Sequence, residues 1–157
     1  MSLPPPSACT VRAPRPGDYA GWHALWTAYN AFYGFEGDTA IPEPVSQTTW
    51  QRFFDPAEPM FARVAEDAGQ LIGLVHCLYH RSTAKIEPVC YLRDLFTAPT
   101  QRGRGVGRAL IEAACAQARA DGVRRVYWQT HVDNAAGRRL YDALAQHAGF
   151  IVYARDA

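Results

Sequence analysis

The sequence predicts a single α+β (mixed α/β) domain. Three observations carry this. The chain has 157 residues, enough for one ordinary core. Hydrophobic residues make up 48% and charged residues 20%, a balance that excludes a disordered chain. Apolar periodicity switches between helical and strand-like along the sequence, in the order β-α-α-β-β-β-α-β-α-β, with no internal repeat and no linker.

Residues 1–9, proline-rich at the start, are expected to be disordered or foreign to the natural chain, and residues 10–157 to form the domain. Met1 to Pro6 lacks the basic-then-apolar pattern of a signal peptide. Thr10 to Arg12 reads as a first strand, ended by Pro14, Pro16 and Gly17. Asp18 is placed to cap the next helix by accepting first-turn N–H groups. Trp22, Leu25, Trp26, Tyr29, Phe32 and Tyr33 then follow helical spacing on one face. The stripe reads as core, and Tyr29 and Tyr33, near the helix end, are also placed to line a substrate cleft.

Gly34, Gly37, Pro42 and Pro44 mark residues 34–46 as a loop. A short helix presents Trp50, Phe53 and Phe54 and stops before Pro56. Met60 to Glu66 and Gln70 to His80 read as strands joined by an Asp67-Ala68-Gly69 turn, and Val89 to Thr97 as a third. Val106 to Ala120 is expected to be a helix stopped by Gly122. Val126 to Thr130 reads as a strand and Ala135 to about Gln146 as a helix. Phe150 to Tyr153 reads as a last strand, with no sequence after it for a seventh.

The longest apolar runs are far too short to cross a bilayer. Cys9, Cys77, Cys90 and Cys115 have no C-x-x-C spacing, so neither a disulfide framework nor a zinc site is expected, and no metal at all. A reduced, cytoplasmic setting follows as the expectation. The net charge of +1 conceals an asymmetry: residues 36–67 sum to −5, and residues 102–157 to +4, all of it from Arg. One reading is a solvated surface. The sharper one is an anionic ligand on the C-terminal half and a cationic one near Glu36, Asp38 and Glu43. The basic excess is too small to predict nucleic-acid binding.

The strongest chemical signal is Arg102-Gly103-Arg104-Gly105-Val106-Gly107-Arg108, between a predicted strand and a predicted helix. Glycines let a backbone approach a ligand closely. The first N–H groups of a helix lack intrahelical acceptors and lie at the positive end of its dipole, which suits a pyrophosphate. No Gly-Lys-Ser/Thr follows, so this is not a Walker loop, and its spacing and late position make a poor dinucleotide fingerprint.

Arg102-x-x-Gly105-x-Gly107, preceded by Tyr91-Leu-Arg-Asp-Leu-Phe-Thr97, resembles the acetyl-CoA motif of the GNAT superfamily of N-acetyltransferases. Tyr127 to Asn134, Arg139-Leu-Tyr141 and Gly149-Phe150 resemble its later segments. The details are most similar to the spermidine/spermine and the yeast-type histone and polyamine acetyltransferases. The resemblance spans roughly residues 10–153. It implies a central, mostly antiparallel sheet splayed between the fourth and fifth strands. It implies transfer of an acetyl group from acetyl-CoA to a primary amine of a small molecule or peptide, by direct attack in a ternary complex. The alternative on the same fold is a non-catalytic coenzyme A sensor or regulatory module.

The resemblance further implies roles. Backbone groups of Leu95, Phe96 and Thr97 would hold the thioester carbonyl and pantetheine arm, with Arg102 and the N–H groups of Gly103, Arg104, Gly105, Val106, Gly107 and Arg108 at the pyrophosphate. Asn134 would contact the cofactor, and Tyr141 would protonate the departing thiolate. Asp94, Glu87, His76, His80 and His131 are candidate acceptors for the amine proton, with Asp94 best placed by motif. Tyr29, Tyr33 and Glu36 are candidate substrate contacts. Polyamine-type relatives carry Glu then Asp where this chain has Arg93-Asp94, which argues against a polyamine acceptor. The stretch from Tyr141 to Phe150 is about one helical turn longer than the common pattern. A last strand with an uncovered edge predicts a homodimer formed through the C-terminal strands.

Overall fold

A computed structural model describes residues 9–157, so the N-terminal segment up to residue 8 lies outside the described residues. Cys9 is half-buried and packs against the core.

Five strands form one sheet in sequence order: β1 (Thr10–Arg12), β2 (Met60–Asp67), β3 (Gln70–His80), β4 (Val89–Thr97) and β5 (Val126–Tyr127). The first four pair antiparallel, and β4 pairs parallel with β5. Four helices flank the sheet: α1 (Tyr19–Phe32), α2 (Glu43–Arg52), α3 (Val106–Ala120) and α4 (Ala135–Leu144).

The sheet is covered on both sides because its strands alternate apolar residues on both faces. Val75 and Cys77 of β3 pack with Leu110, Ile111 and Ala114 of α3. Leu74 packs the other way, with Trp22, Leu25 and Tyr29 of α1 and Trp50 of α2. A bulge in β4 reverses this alternation. The register runs Cys77↔Leu92 and then His76↔Asp94, so Arg93 is an extra residue. Cys90 and Leu92 therefore face α3, and so does Leu95, whereas Phe96 joins the α1 core.

Gly73 lets α3 sit close to the sheet. A Cβ there would lie 3.0 Å from the Phe96 carbonyl oxygen, 3.0 Å from Leu110 and 3.1 Å from Val106.

Several local expectations need correction. Asp18 precedes α1, but its carboxylate makes no bond to the helix N–H groups. It accepts from Arg12 at 2.7 Å and from the Arg15 N–H at 2.7 Å, while Arg12 also reaches Glu66 at 2.7 Å. The Arg12 guanidinium and the Arg15 N–H together occupy the carboxylate. The 34–46 loop holds a 3-10 turn at Gly37–Thr39 and the start of α2, with Pro44 in its first turn, where a missing N–H costs nothing.

β5 is only two residues long, and residues 145–157 form no strand. Once β5 leaves the sheet it offers no ladder to a following segment, so Phe150, Ile151, Val152 and Tyr153 are 84%, 75%, 68% and 88% exposed.

Candidate active site

The site begins where the sheet comes apart. β4 and β5 pair only at Cys90↔Val126 and Tyr91↔Tyr127, and β4 then runs on to Thr97 without β5 beside it. The Ala98 N–H bonds to the Ile72 carbonyl on β3. Antiparallel alternation then turns the N–H groups of Leu95 and Thr97 away from β3, into the splay. In agreement, the Thr97 carbonyl accepts from Arg102 Nε at 3.3 Å rather than from β3.

A cleft of about 430 Å³ occupies the splay. Leu95, Phe96 and Thr97 line it from β4, Gly103 to Arg108 (Arg104 excepted) from the turn and α3, and Asn134 and Tyr141 from the α4 side. Tyr29 and Tyr33 close it from the end of α1. Most of the residues singled out in the sequence therefore converge. Phe32, Gln101, Ala136, Gly137, Arg139 and Leu140 also line the cleft; the sequence places Phe32 only in the α1 stripe and Arg139 and Leu140 only in the resembling segment, and gives the other three no role. Leu140 follows from Ala136 by helical spacing, on the face that also carries Gly137 and Tyr141, which is the signal that could have found it.

Gly105 precedes α3 with φ +80, and a Cβ there would meet no atom within 4 Å. The backbone thus turns left-handed and leaves open space in front of the α3 N-terminus. Arg102 and Arg108 are exposed at this end, and Arg102 lies over the rings of Phe32 and Phe96 at 5.9 and 5.8 Å. Arg104 turns away to Asp67 at 3.1 Å, and also contacts Gln101. Free helix-end N–H groups, glycines and the exposed guanidinium groups of Arg102, which also donates to the Thr97 carbonyl, and Arg108, which lies 4.0 Å from Glu112, fit a pyrophosphate.

Asn134 caps α4. Its Oδ1 accepts from the Gly137 N–H at 3.1 Å, and its amide donates to Thr130 Oγ1 at 2.9 Å. The Tyr141 hydroxyl makes no hydrogen bond among the described residues, and its ring meets Trp128 edge-on at 5.6 Å. Burial pushes the Tyr141 hydroxyl above its ordinary pKa, with a smaller push from Tyr33, so it carries its proton at neutral pH.

Asp94 is buried beside the cleft. Trp22 Nε1 donates to His76 Nε2 at 2.9 Å, and His76 Nδ1 lies 3.0 Å from Asp94 Oδ2. An indole only donates, so Nε2 accepts, and the imidazole proton sits on Nδ1 and is donated to Asp94. Burial opposes the Asp94 charge, but His76, the Tyr29 hydroxyl and Arg93 outweigh it and hold the carboxyl below its ordinary value. Tyr29 is pushed up, by burial first and then by the Asp94 charge.

The structure brings none of Asp94, His76, Glu36, Glu87, His80 and His131 to the cleft lining, although Asp94 directly precedes Leu95, which lines it. Glu36 is exposed beside the 37–39 turn, and Glu87 lies on the loop before β4. His80 Nε2 lies 2.8 Å from the Tyr127 hydroxyl, and His131 pairs with Asp133 at 3.5 Å. Much of the acidic stretch is engaged locally: Glu43 with Tyr19 and His23, Glu58 with Arg52, Glu66 with Arg12 and Asp67 with Arg104. No helix of the described residues is long and apolar enough to cross a membrane.

Comparison with known proteins agrees with this geometry. The family model described as "Acetyltransferase (GNAT) family" matches residues 16–145. D-amino-acid N-acetyltransferase HPA3 of Saccharomyces cerevisiae is 34% identical over 148 residues, 93% of this chain and 89% of its own. N-alpha-acetyltransferase 30 of Schizosaccharomyces pombe is 31% identical over 117 residues, 73% of each chain. Among solved structures, AAC(6')-Iy in complex with the bisubstrate analog CoA-S-monomethyl-acetylneamine superposes with a TM-score of 0.80 at 18% identity, covering 95% of this chain and 98% of that one, which shows the shared fold. The chain belongs to the acetyltransferase (GNAT) family and is an acetyl-CoA-dependent N-acetyltransferase.

Proposed function

We propose that the protein acetylates the primary amine of a small molecule or peptide by direct attack within the splay. The observation that carries this reading is the convergence on one cleft of the Leu95 and Thr97 N–H groups, the α3 N-terminus and the protonated Tyr141 hydroxyl. Acetyl-CoA supplies a thioester carbonyl and a thiol leaving group. The residues of the chain do the rest. The N–H groups of Gly103 to Arg108, with Arg102 and Arg108, hold the phosphates, and Asn134 shapes the far wall through its cap on α4. An N–H of Leu95 or Thr97, fixed by the strand before reaction, stabilises charge growing on the carbonyl oxygen. Phe96 gives its ring to the α1 core and braces this stretch.

Asp94, ionised and oriented by His76, receives the acceptor ammonium with Tyr29 and Tyr33 around it. A carboxyl held this low is a better counter-ion than base, so the amine proton passes to solvent before attack. The Tyr141 hydroxyl donates its proton to the leaving sulfur. Glu36, outside the lining, contributes at most long-range attraction for a cation. The 34% identical yeast relative is consistent with an amine acceptor, since its name specifies D-amino acids as the substrate of that protein.

The active form in this reading is a homodimer joined through residues 150–153, which are apolar and exposed in the single chain. A reducing, cytoplasmic setting belongs to the same reading, since Cys77, Cys90 and Cys115 are free thiols. The test is a thiol-release screen with acetyl-CoA across amino acids, aminoglycosides, polyamines and Lys-containing peptides, with acetylated product identified by mass. Release matched by product supports the enzyme. Coenzyme A binding without release on any amine would instead support the sensor.

A further inference from the structure

The cleft lining holds Arg102, Arg108 and Arg139 and no carboxylate. The first two come with the Gly-rich turn and the first turn of α3, and Arg139 comes from α4. Arg102 donates to the Thr97 carbonyl, and Arg108 lies 4.0 Å from Glu112. Arg139 is exposed and makes no hydrogen bond or ion pair among the described residues. Its neighbour Arg138 is outside the lining and donates to the Val132 carbonyl at 3.1 Å. Arg139 is thus a cleft cation with no task inside the chain.

One contact fixes which part of the cleft it serves. A Cβ on Gly107 would lie 3.2 Å from Leu140 Cδ2. Leu140 therefore sits directly against the first turn of α3. Arg139 precedes Leu140, Arg108 follows Gly107, and consecutive Cα atoms are about 3.8 Å apart. Arg108 and Arg139 thus flank one point of close helix approach, at the α3 N-terminus. Like charges gathered without an acid between them repel one another, and a bound polyanion relieves that repulsion.

Coenzyme A carries a pyrophosphate bridge and, on its ribose, a separate phosphomonoester. The bridge is met by the α3 N–H groups with Arg102 and Arg108. The monoester bears about two negative charges at neutral pH and calls for a cation beyond the turn. We infer that Arg139 takes this phosphomonoester and so makes the cleft selective for acetyl-CoA over its 3′-dephospho form. A guanidinium offers phosphate oxygens a planar pair of donors. The inference rests on the pyrophosphate placement in the reading above and adds the residue that reads the second phosphate.

Matched cofactors test it. Binding is measured by titration calorimetry and by thermal shift, with acetyl-CoA and with acetyl-3′-dephospho-CoA. Wild type should bind the phosphorylated form about tenfold or more tighter, the range of a charge-assisted hydrogen-bonded contact. That margin should narrow as salt is raised. Arg139→Ala should lose about tenfold in affinity for acetyl-CoA and stay within about twofold for the dephospho form. Arg139→Lys should keep part of the margin, because it keeps the charge and loses the fork. Arg139 belongs to neither core cluster, so both variants should melt close to wild type without cofactor. Equal weakening of both cofactors in Arg139→Ala would give Arg139 to the pyrophosphate, and no weakening of either would give it to solvent. A loss confined to the acceptor KM would give it to the acceptor. Each of these results overturns the inference and leaves the pyrophosphate placement standing. Undiminished acetyl-CoA affinity in a folded Gly105→Val protein would overturn both.

Discussion

The Tyr141 hydroxyl has two competing readings, packing and proton donation, and one substitution separates them. Tyr141→Phe keeps the ring that meets Trp128 edge-on, so packing alone predicts almost no change in rate. The hydroxyl has no hydrogen-bond partner among the described residues, so its removal leaves no buried group unpaired. If it protonates the departing thiolate, kcat should fall on the order of 10²-fold while acetyl-CoA affinity stays nearly constant. The defect should shrink with an acyl donor whose thiol is more acidic, because a weaker base needs less protonation. Turnover within about threefold of wild type would make Tyr141 a packing residue. Asp94 gives a prediction of a different kind, in stability against pH. Its carboxyl is depressed in the fold from the ordinary value of 3.8 by His76, Tyr29 and Arg93, against burial. The ionised form therefore stabilises the fold, fully above the ordinary value, and this contribution is lost as pH falls through the lower folded value. In thermal unfolding, the excess stability of wild type over Asp94→Asn should be constant near neutrality and shrink on acidification below about pH 4. A difference independent of pH would show that Asp94 acts only through its shape and hydrogen bonds.

At the scale of elements, the position of α3 depends on two glycines for different reasons. At Gly73 the limit is space: a Cβ would press on the Phe96 carbonyl, Leu110 and Val106 at 3.0–3.1 Å. At Gly105 the limit is backbone conformation, φ +80, with nothing within 4 Å of a Cβ. Gly73→Ala should therefore cost stability, about 1–3 kcal/mol by overpacking, with acetyl-CoA stabilisation reduced only as far as α3 shifts. Gly105→Val should cost about 1–2 kcal/mol of backbone strain and remove most of the thermal shift produced by acetyl-CoA, because its bulk enters the open space before α3. A full shift in a folded Gly105→Val protein would move the phosphate site elsewhere. The same elements show what a sequence reveals. α3 was legible because its apolar spacing and flanking Gly105 and Gly122 agree, and the β2–β3–β4 meander because its apolar runs are punctuated by turns. α2 begins and ends earlier than the sequence predicts, at Glu43–Arg52 with Phe53 and Phe54 past its last turn, since Pro44 signals a loop unless it falls in the first helical turn. The Phe150–Tyr153 strand was over-read, because β-propensity reports a segment that suits a sheet and not whether an edge awaits it. Motif and spacing pointed to the Gly-rich turn and Tyr141, which the fold brings to one cleft. The Trp22–His76–Asp94 chain was not, since it joins α1, β3 and β4, which only the fold brings together. The turning away of Arg104 was equally invisible, because its partner Asp67 lies on a distant hairpin.

The molecule as a whole leaves one feature unaccounted for by a single chain. Phe150, Ile151, Val152 and Tyr153 are consecutive, apolar and 68–88% exposed, beyond the end of α4. Scattered exposed apolar residues are ordinary, but a contiguous run marks a contact surface. Each such side chain contributes about 1.5–3 kcal/mol when buried. Within the chain no strand edge receives the run, since β5 stops at Tyr127. In the proposed homodimer a second copy would cover the run, each C-terminal segment packing against its counterpart across a two-fold axis. Light scattering at tens of micromolar should therefore report about twice the chain mass of 17.4 kDa. Ile151→Asp with Tyr153→Asp should give a folded monomer, because neither side chain contributes to the core clusters. A wild-type monomer at that concentration, or a dimer unaffected by both charges, would place the contact elsewhere or remove it.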